Sequence, residues 1–256
     1  GRRARRPRAP RPANMRPQNN PSKQKSDFTY FIKICIMGLM KNCCIFDLDG
    51  TLTDTVKTLA HFVNETLSHY GFKHIETERF KELAGDGARN LIKRSLGCCV
   101  PSWTQEFEDK VLREYNEAYD NDPFRLCAPY DGIPELLAEL KAKNCSLAVM
   151  TNKPQSTATK TVEHFFGKGT FDVIFGQREN VPIKPNPQGV FGIMSSLGVK
   201  PEQCLYVGDT STDMKTGKNA GLFTVGVLWG FRGRAELEAT GADVIIEKPA
   251  ELVKFL

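Results

Sequence analysis

From residue 41 onward, short apolar runs ending in polar loops alternate with stretches whose apolar positions recur every three to four residues. That alternation predicts a parallel sheet wrapped by helices. The runs at 43–46, 146–150, 171–175, 204–207, 223–227 and 244–246 read as strands, and the patterns at 133–143, 156–166, 187–197, 213–220 and 250–255 read as helices. Gly132, Gly198 and Gly221 sit where helix ends favour glycine. The fold class expected is α/β, a doubly wound, Rossmann-like parallel sheet.

Residues 56–126 break this rhythm. Leu59, Phe62, Val63, Thr66, Leu67 and Tyr70 recur at helical spacing, as do Leu91, Ile92 and Leu96, then Phe107, Val111, Leu112 and Tyr115. The stretch contains no strand pattern and, at about 70 residues, far exceeds an ordinary βα connection, so it predicts an inserted all-helical cap. It leaves the sheet at the carboxyl end of the first strand, where open α/β sheets bind ligands, and is placed to act as a lid. The expected organisation is a leader at 1–39, an α/β core at 40–55 and 127–256, and a helical cap at 56–126.

Composition changes this picture at one end only. The 256 residues, 40% hydrophobic and 25% charged, are those of a soluble globular protein. The formal charge of +5 comes from the start of the chain, because residues 1–26 hold seven Arg and two Lys and no acid; taking that +9 from +5 leaves −4 for the rest. A mildly acidic body offers no electrostatic footprint for nucleic acid. The Pro/Arg-rich leader lacks periodicity and is expected to be disordered. Met40 directly precedes the first strand, which predicts that the natural chain begins there and that residues 1–39 are a non-native leader. The apolar run at 28–40 is interrupted by Lys33 and is shorter than the ~20 residues a bilayer span needs. The eight cysteines show no C-x-x-C spacing, which argues against zinc, and their place in apolar strands suits small hydrophobes in a reducing cytoplasm.

Four elements carry chemistry. Asp47 and Asp49 lie two apart at the end of an apolar strand, so their side chains point the same way into one site. Carboxylates so close repel unless a cation binds between them or one holds a proton. Thr151 and Asn152 follow the strand at 146–150 and can donate to phosphoryl oxygens. Lys184 is fenced by Pro182, Pro185 and Pro187, which stiffen its backbone; alone it reads as an exposed loop lysine. Asp209 ends the strand at 204–207, and Asp213 four residues on also suits a helix start. Hard oxygen ligands of this kind suit magnesium.

In this order and with this insert, the four elements resemble the haloacid dehalogenase superfamily of hydrolases, over residues 40–256. Within it the chain is most similar to the phosphoglycolate phosphatases, through residues 83–91, Pro129-Tyr130-Asp131-Gly132, Thr151-Asn152-Lys153-Pro154 and the run from Val207 to Asp213. The resemblance implies a Mg2+-dependent phosphatase in which Asp47 attacks phosphorus, Asp49 acts as general acid and base, Thr151 and Lys184 hold phosphoryl oxygens, and Asn152 orients substrate. It places the metal on the Asp47 carboxylate, the Asp49 backbone carbonyl and Asp209, with Asp213 steering. Arg89, in the insert, is the candidate for a substrate carboxylate, the alternative being a solvated helix residue. The partner implied is a small phosphorylated metabolite, with no membrane and no nucleic acid for the folded body, and a monomeric or homodimeric state. A pyrophosphatase, a sugar-phosphate phosphatase, a β-phosphoglucomutase-like enzyme and a non-catalytic protein on this fold are the competing readings.

Overall fold

The first strand, β1 (Cys43–Phe46), is buried on both faces. This is what a short uninterrupted apolar run must do: it cannot show one face to water and so takes the middle of a sheet covered on both sides. The computed structural model describes residues 41–256; the leader expected at 1–39 lies outside the described residues. After β1 come β2 (Thr53–Asp54) and the helices α1 (Val56–Ser68), α2 (Phe80–Leu83), α3 (Ala88–Cys99) and α4 (Gln105–Asn121). The chain continues through β3 (Ala128–Pro129), α5 (Ile133–Ala142), β4 (Ser146–Pro154), α6 (Gln155–Phe166), β5 (Val173–Gln177) and α7 (Gln188–Leu197). It closes with β6 (Cys204–Gly208), α8 (Ser211–Asn219), β7 (Phe223–Val227), α9 (Arg234–Ala239), β8 (Val244–Ile246) and a 3-10 turn at Pro249–Phe255.

Six strands form one sheet in the order β5-β4-β1-β6-β7-β8, every pair parallel. Period-two alternation sends Cys44 and Phe46 to the layer that holds Ile133, Leu140 and Leu205. Cys43 and Ile45 go to the opposite layer, with Val190, Ile193 and Tyr206. β1 lies between β4 and β6, so the carboxyl ends of all three strands open on one crevice, the position where such sheets hold ligands.

Helices α1 to α4 build a third apolar cluster around Phe62, Val63, Leu67, Phe80, Ile92, Leu96 and Val111. Thr104 caps α4, its hydroxyl accepting from the Phe107 N–H at 3.2 Å. No strand lies between α1 and α4, as the periodicity predicts. Among the described residues no helix is long and apolar enough to cross a membrane.

Several element edges differ from the sequence reading. β4 runs to Pro154, not 150, because the residue before a proline is kept extended. β5 begins at Val173, since the Asp172 carboxylate takes the Leu147 N–H at 2.8 Å and Phe171 turns into the core against Phe46. The two-residue strands β2 and β3, an antiparallel pair bracketing the four helices, are too short to carry a period. The six-residue α9 went unread for the same reason.

Candidate active site

Each acid arrives in the crevice at a strand end. β1 delivers Asp47 and β6 delivers Asp209, both buried, while α8 begins with Asp213 inside its first turn. The Asp213 carboxylate does two things at once. Its Oδ2 accepts from the Thr210 N–H at 3.0 Å and the Thr210 hydroxyl at 2.7 Å, closing a capping box, while its Oδ1 meets Lys184 Nζ at 2.8 Å. Helix capping and site chemistry are therefore one feature here.

Lys184 is 2% exposed, so the structure overturns its reading as a solvent-facing loop lysine. Its ammonium lies 2.8 Å from Asp47 Oδ1 as well as from Asp213. Asn152 fixes it from behind: the side-chain oxygen accepts from the Lys184 backbone N–H at 2.8 Å. Burial alone would lower the Lys184 pKa, but Asp213 and Asp47 together outweigh it and hold the ammonium well above its ordinary value.

Asp209 accepts from the Thr51 hydroxyl at 3.0 Å and from the Phe231 N–H at 2.8 Å. Asp47, Asp209 and Asp213 each offer a carboxylate oxygen, and the three lie within 4.8 Å of one another. Burial and then Asp213 push Asp47 up to about 7 despite the pull of Lys184. Burial, Asp213 and Asp47 likewise hold Asp209 well above the usual carboxylate range. One ammonium facing three buried acids leaves negative charge uncompensated, and that deficit together with the all-oxygen donor set fits a hard divalent cation.

Asp49 stands apart from this cluster. Its carboxylate oxygens are 2.8 and 3.1 Å from Lys153 Nζ, which leaves its backbone carbonyl as the group for the metal role expected of it. Lys153 also donates to the Tyr119 hydroxyl at 2.7 Å, linking β4 to α4. Burial works against this ammonium, yet Asp49 and Tyr119 hold it above its ordinary value. Asp47, Asp49, Thr151, Asn152, Lys153 and Lys184 all line one cavity, together with Tyr115, Tyr119 and Phe231.

Arg89 is not brought into this cavity. Its guanidinium lies 2.6 Å from Asp109 and 3.3 Å from Glu108, two acids in the first turns of α4, and it is absent from the lining. The expectation that it faces a substrate carboxylate is corrected: a nearer pair of acids holds it. Lys153 and Tyr119 are the site residues the sequence reading missed. A signal existed for Lys153, since an extended chain through 151–153 points it the same way as Thr151.

Close packing around Asp209 makes two glycines structural necessities. A Cβ on Gly50, at φ +87°, would stand 2.3 Å from Asp209 Oδ2, and one on Gly230 would stand 2.3 Å from the Gly50 carbonyl oxygen. Gly50→Ala is expected to lower stability by roughly 2 kcal/mol through backbone strain and overpacking and to move Asp209. Thermal denaturation checks the first effect, and loss of cation-dependent stabilisation the second.

Such a fold and site define a class: doubly wound α/β proteins with a lysine-bridged acidic centre at the carboxyl edge of the sheet. The family model described as haloacid dehalogenase-like hydrolase matches residues 44–227. The chain belongs to this family of hydrolases. It is 32% identical over 212 residues to phosphoglycolate phosphatase of Aquifex aeolicus, covering 83% of this chain and 95% of that protein. It is 30% identical over 213 residues to N-acetylmuramic acid 6-phosphate phosphatase of Pseudomonas aeruginosa, covering 83% and 93%. The crystal structure of CbbY from Rhodobacter sphaeroides in complex with phosphate superposes with a TM-score of 0.70 at 26% identity, covering 83% of this chain and 96% of that one. A haloacid dehalogenase-like family hydrolase from Streptococcus pneumoniae shares the fold, with a TM-score of 0.74 at 23% identity, covering 84% and 98%.

Proposed function

We propose that this chain is a magnesium-dependent phosphatase that hydrolyses a small phosphate monoester through a phospho-aspartate on Asp47, with 2-phosphoglycolate the first candidate substrate. The observation that carries the reading is the buried Lys184 ammonium bridging Asp47 and Asp213 beside Asp209. A protein with no metal ion to hold there, and no phosphoryl group for that ion to meet, would gain little from three buried acids around one ammonium, since such charges are costly to bury. The relatives named as phosphoglycolate phosphatases support the choice of substrate. A pyrophosphatase of Bacillus mycoides, 28% identical, supports pyrophosphate as the second candidate.

In this reading an Asp47 oxygen forms a bond to phosphorus as the ester P–O bond breaks, and Asp49 gives its proton to the departing oxygen. Water then attacks phosphorus, Asp49 takes up its proton, and phosphate leaves with the Asp47 carboxylate restored. Thr151 and the remaining hydrogen of the Lys184 ammonium hold the phosphoryl oxygens, and Asn152 keeps Lys184 in place. Asp47, Asp209 and the Asp49 backbone carbonyl would hold Mg2+, with Asp213 beside them, and the ion when bound offsets charge between nucleophile and phosphate.

The reading is tested by presenting the full chain with a panel of phosphate esters and pyrophosphate, with and without Mg2+. Metal-dependent release of phosphate is expected, fastest from 2-phosphoglycolate; pyrophosphate turning over well ahead of it would transfer the assignment to the second candidate. A separate check needs no substrate. Because the folded Asp47 is raised from 3.8 to about 7, this side chain holds more of its proton in the folded chain than in the unfolded one across that window. The contribution of Asp47 to stability without metal therefore falls as pH rises from about 4 to about 7. Mg2+ is expected to raise the melting temperature, and to raise it more at pH 8 than at pH 5. A metal-independent melting temperature at both values would contradict the three-acid site.

A further inference from the structure

Helix α4 contributes four polar side chains to the cavity lining, Tyr115, Asn116, Tyr119 and Asp120. Two of them are engaged: the Tyr119 hydroxyl takes a hydrogen bond from Lys153 at 2.7 Å, and the Asp120 carboxylate takes one from the Thr157 hydroxyl. Tyr115 and Asn116 have no hydrogen-bond partner among the described residues. Tyr115 is 4% exposed, and its ring packs 5.7 Å from that of Tyr119, one turn along the same helix face. The Tyr206 hydroxyl is also without a partner but is sealed in the core; the Tyr115 hydroxyl is not sealed and opens on the cavity.

Resting on the phosphatase reading, we propose that Tyr115 and Asn116 bind an oxygen carried by the leaving group, a hydroxyl or a carboxylate a few atoms beyond the ester oxygen, and so select short oxygenated chains over alkyl ones. Asp47 and Lys184 set the phosphoryl end of the cavity. Among the remaining lining groups, Leu59, Leu91 and Phe231 have no side-chain hydrogen bond to offer, and Lys153 is held by both oxygens of Asp49 and by Tyr119. A phenol is protonated throughout the neutral range and donates one hydrogen, while the asparagine amide both donates and accepts. Water can serve these groups until a substrate displaces it. A leaving group with an oxygen replaces that water. An alkyl chain leaves a buried donor unpaired, and this loss, more than the bond formed in the favoured complex, carries the discrimination. The selecting groups belong to one helix of the inserted segment, whereas the phosphoryl-handling groups come from the sheet.

The test uses the full chain with Mg2+ and three esters. 2-Phosphoglycolate reports whether phosphatase chemistry occurs; 2-hydroxyethyl phosphate and n-propyl phosphate are of one size and differ in a terminal hydroxyl against a methyl group. The quantity read is the ratio of kcat/KM for the last two. The wild type is expected to favour the hydroxylated ester by at least about fivefold, the lower end for leaving one buried donor unpaired. Tyr115→Phe keeps the ring and removes only the hydroxyl; it should bring the ratio to near parity by lowering kcat/KM for 2-hydroxyethyl phosphate while that for n-propyl phosphate is kept or raised. Asn116→Leu should lower the ratio a few-fold and decides the matter if Tyr115→Phe does not fold. Tyr70→Phe removes a hydroxyl that Glu114 accepts from at 2.7 Å, away from the cavity lining, and should leave the ratio at the wild-type value. Parity in the wild type, a ratio that survives Tyr115→Phe, a Tyr115→Phe that slows both esters equally, a ratio that follows Tyr70, or an unfolded Tyr115→Phe with Asn116→Leu unchanged overturns the proposal. Failure of the wild type on all three esters rejects the phosphatase reading itself, and this inference with it.

Discussion

Asp47→Asn should abolish turnover of phosphate esters, by on the order of 10^4-fold or more, while leaving the chain folded. The amide keeps the shape of the carboxylate and its place at the end of β1, so the packing of Phe46 and Leu48 has no reason to change. What disappears is the nucleophile, and no other group at that strand end can replace it. The substitution also has a stability signature separate from catalysis. Asp47 is one of three acids sharing a buried space, and its raised pKa shows that the folded chain resists charging it. Replacing it by a neutral group relieves that repulsion, so the metal-free variant is expected to melt at or above the wild-type temperature at pH 8. The gain on adding Mg2+ should shrink at the same time, since one ligand is lost. Phosphate release from the best ester, together with melting curves with and without Mg2+, checks both halves. Substantial turnover by Asp47→Asn would remove the covalent reading altogether.

Removing Lys184 should be costly on both counts. Lys184→Met retains a side chain of similar length but leaves Asp47, Asp209 and Asp213 facing one another with no cation from the protein. Breaking a buried pair in this way typically costs about 3–5 kcal/mol. The loss should be larger at pH 8 than at pH 5, because Asp47, raised to about 7, sheds its charge on the acid side and then has less need of the ammonium. Mg2+ should recover part of the stability and little of the activity, since loss of one preorganised donor to the transferring phosphoryl group lowers turnover roughly 10^2- to 10^3-fold. Melting temperature against pH and turnover at saturating Mg2+ separate the two effects. Equal destabilisation at both pH values would show that the acids do not depend on this lysine.

The contrast between Lys184 and Arg89 shows where sequence reasoning stops. Both are basic residues in segments whose motifs single them out, and a lone cation in a loop or on a helix carries no mark of its eventual partner. Lys184 reaches the acids because Asn152, over thirty residues away in sequence, grips its backbone. Arg89 turns aside because Asp109 and Glu108, about twenty residues on, take its guanidinium at 2.6 and 3.3 Å. The pair Lys153 and Asp49 makes the same point over 104 residues of separation.

The strand segments, the helical stretch and the strand-end positions of Asp47, Asp49, Asp209 and Asp213 were legible in the chain itself. They depend on local rules: side chains alternate along a strand, acids end strands, and helices repeat every 3.6 residues. Which cation meets which acid, that Lys184 is buried, and that Lys153 joins Asp49 to Tyr119 were decided by tertiary packing alone. Those outcomes turn on distances and desolvation between groups far apart in sequence, and electrostatic energy in a closed site changes steeply with both.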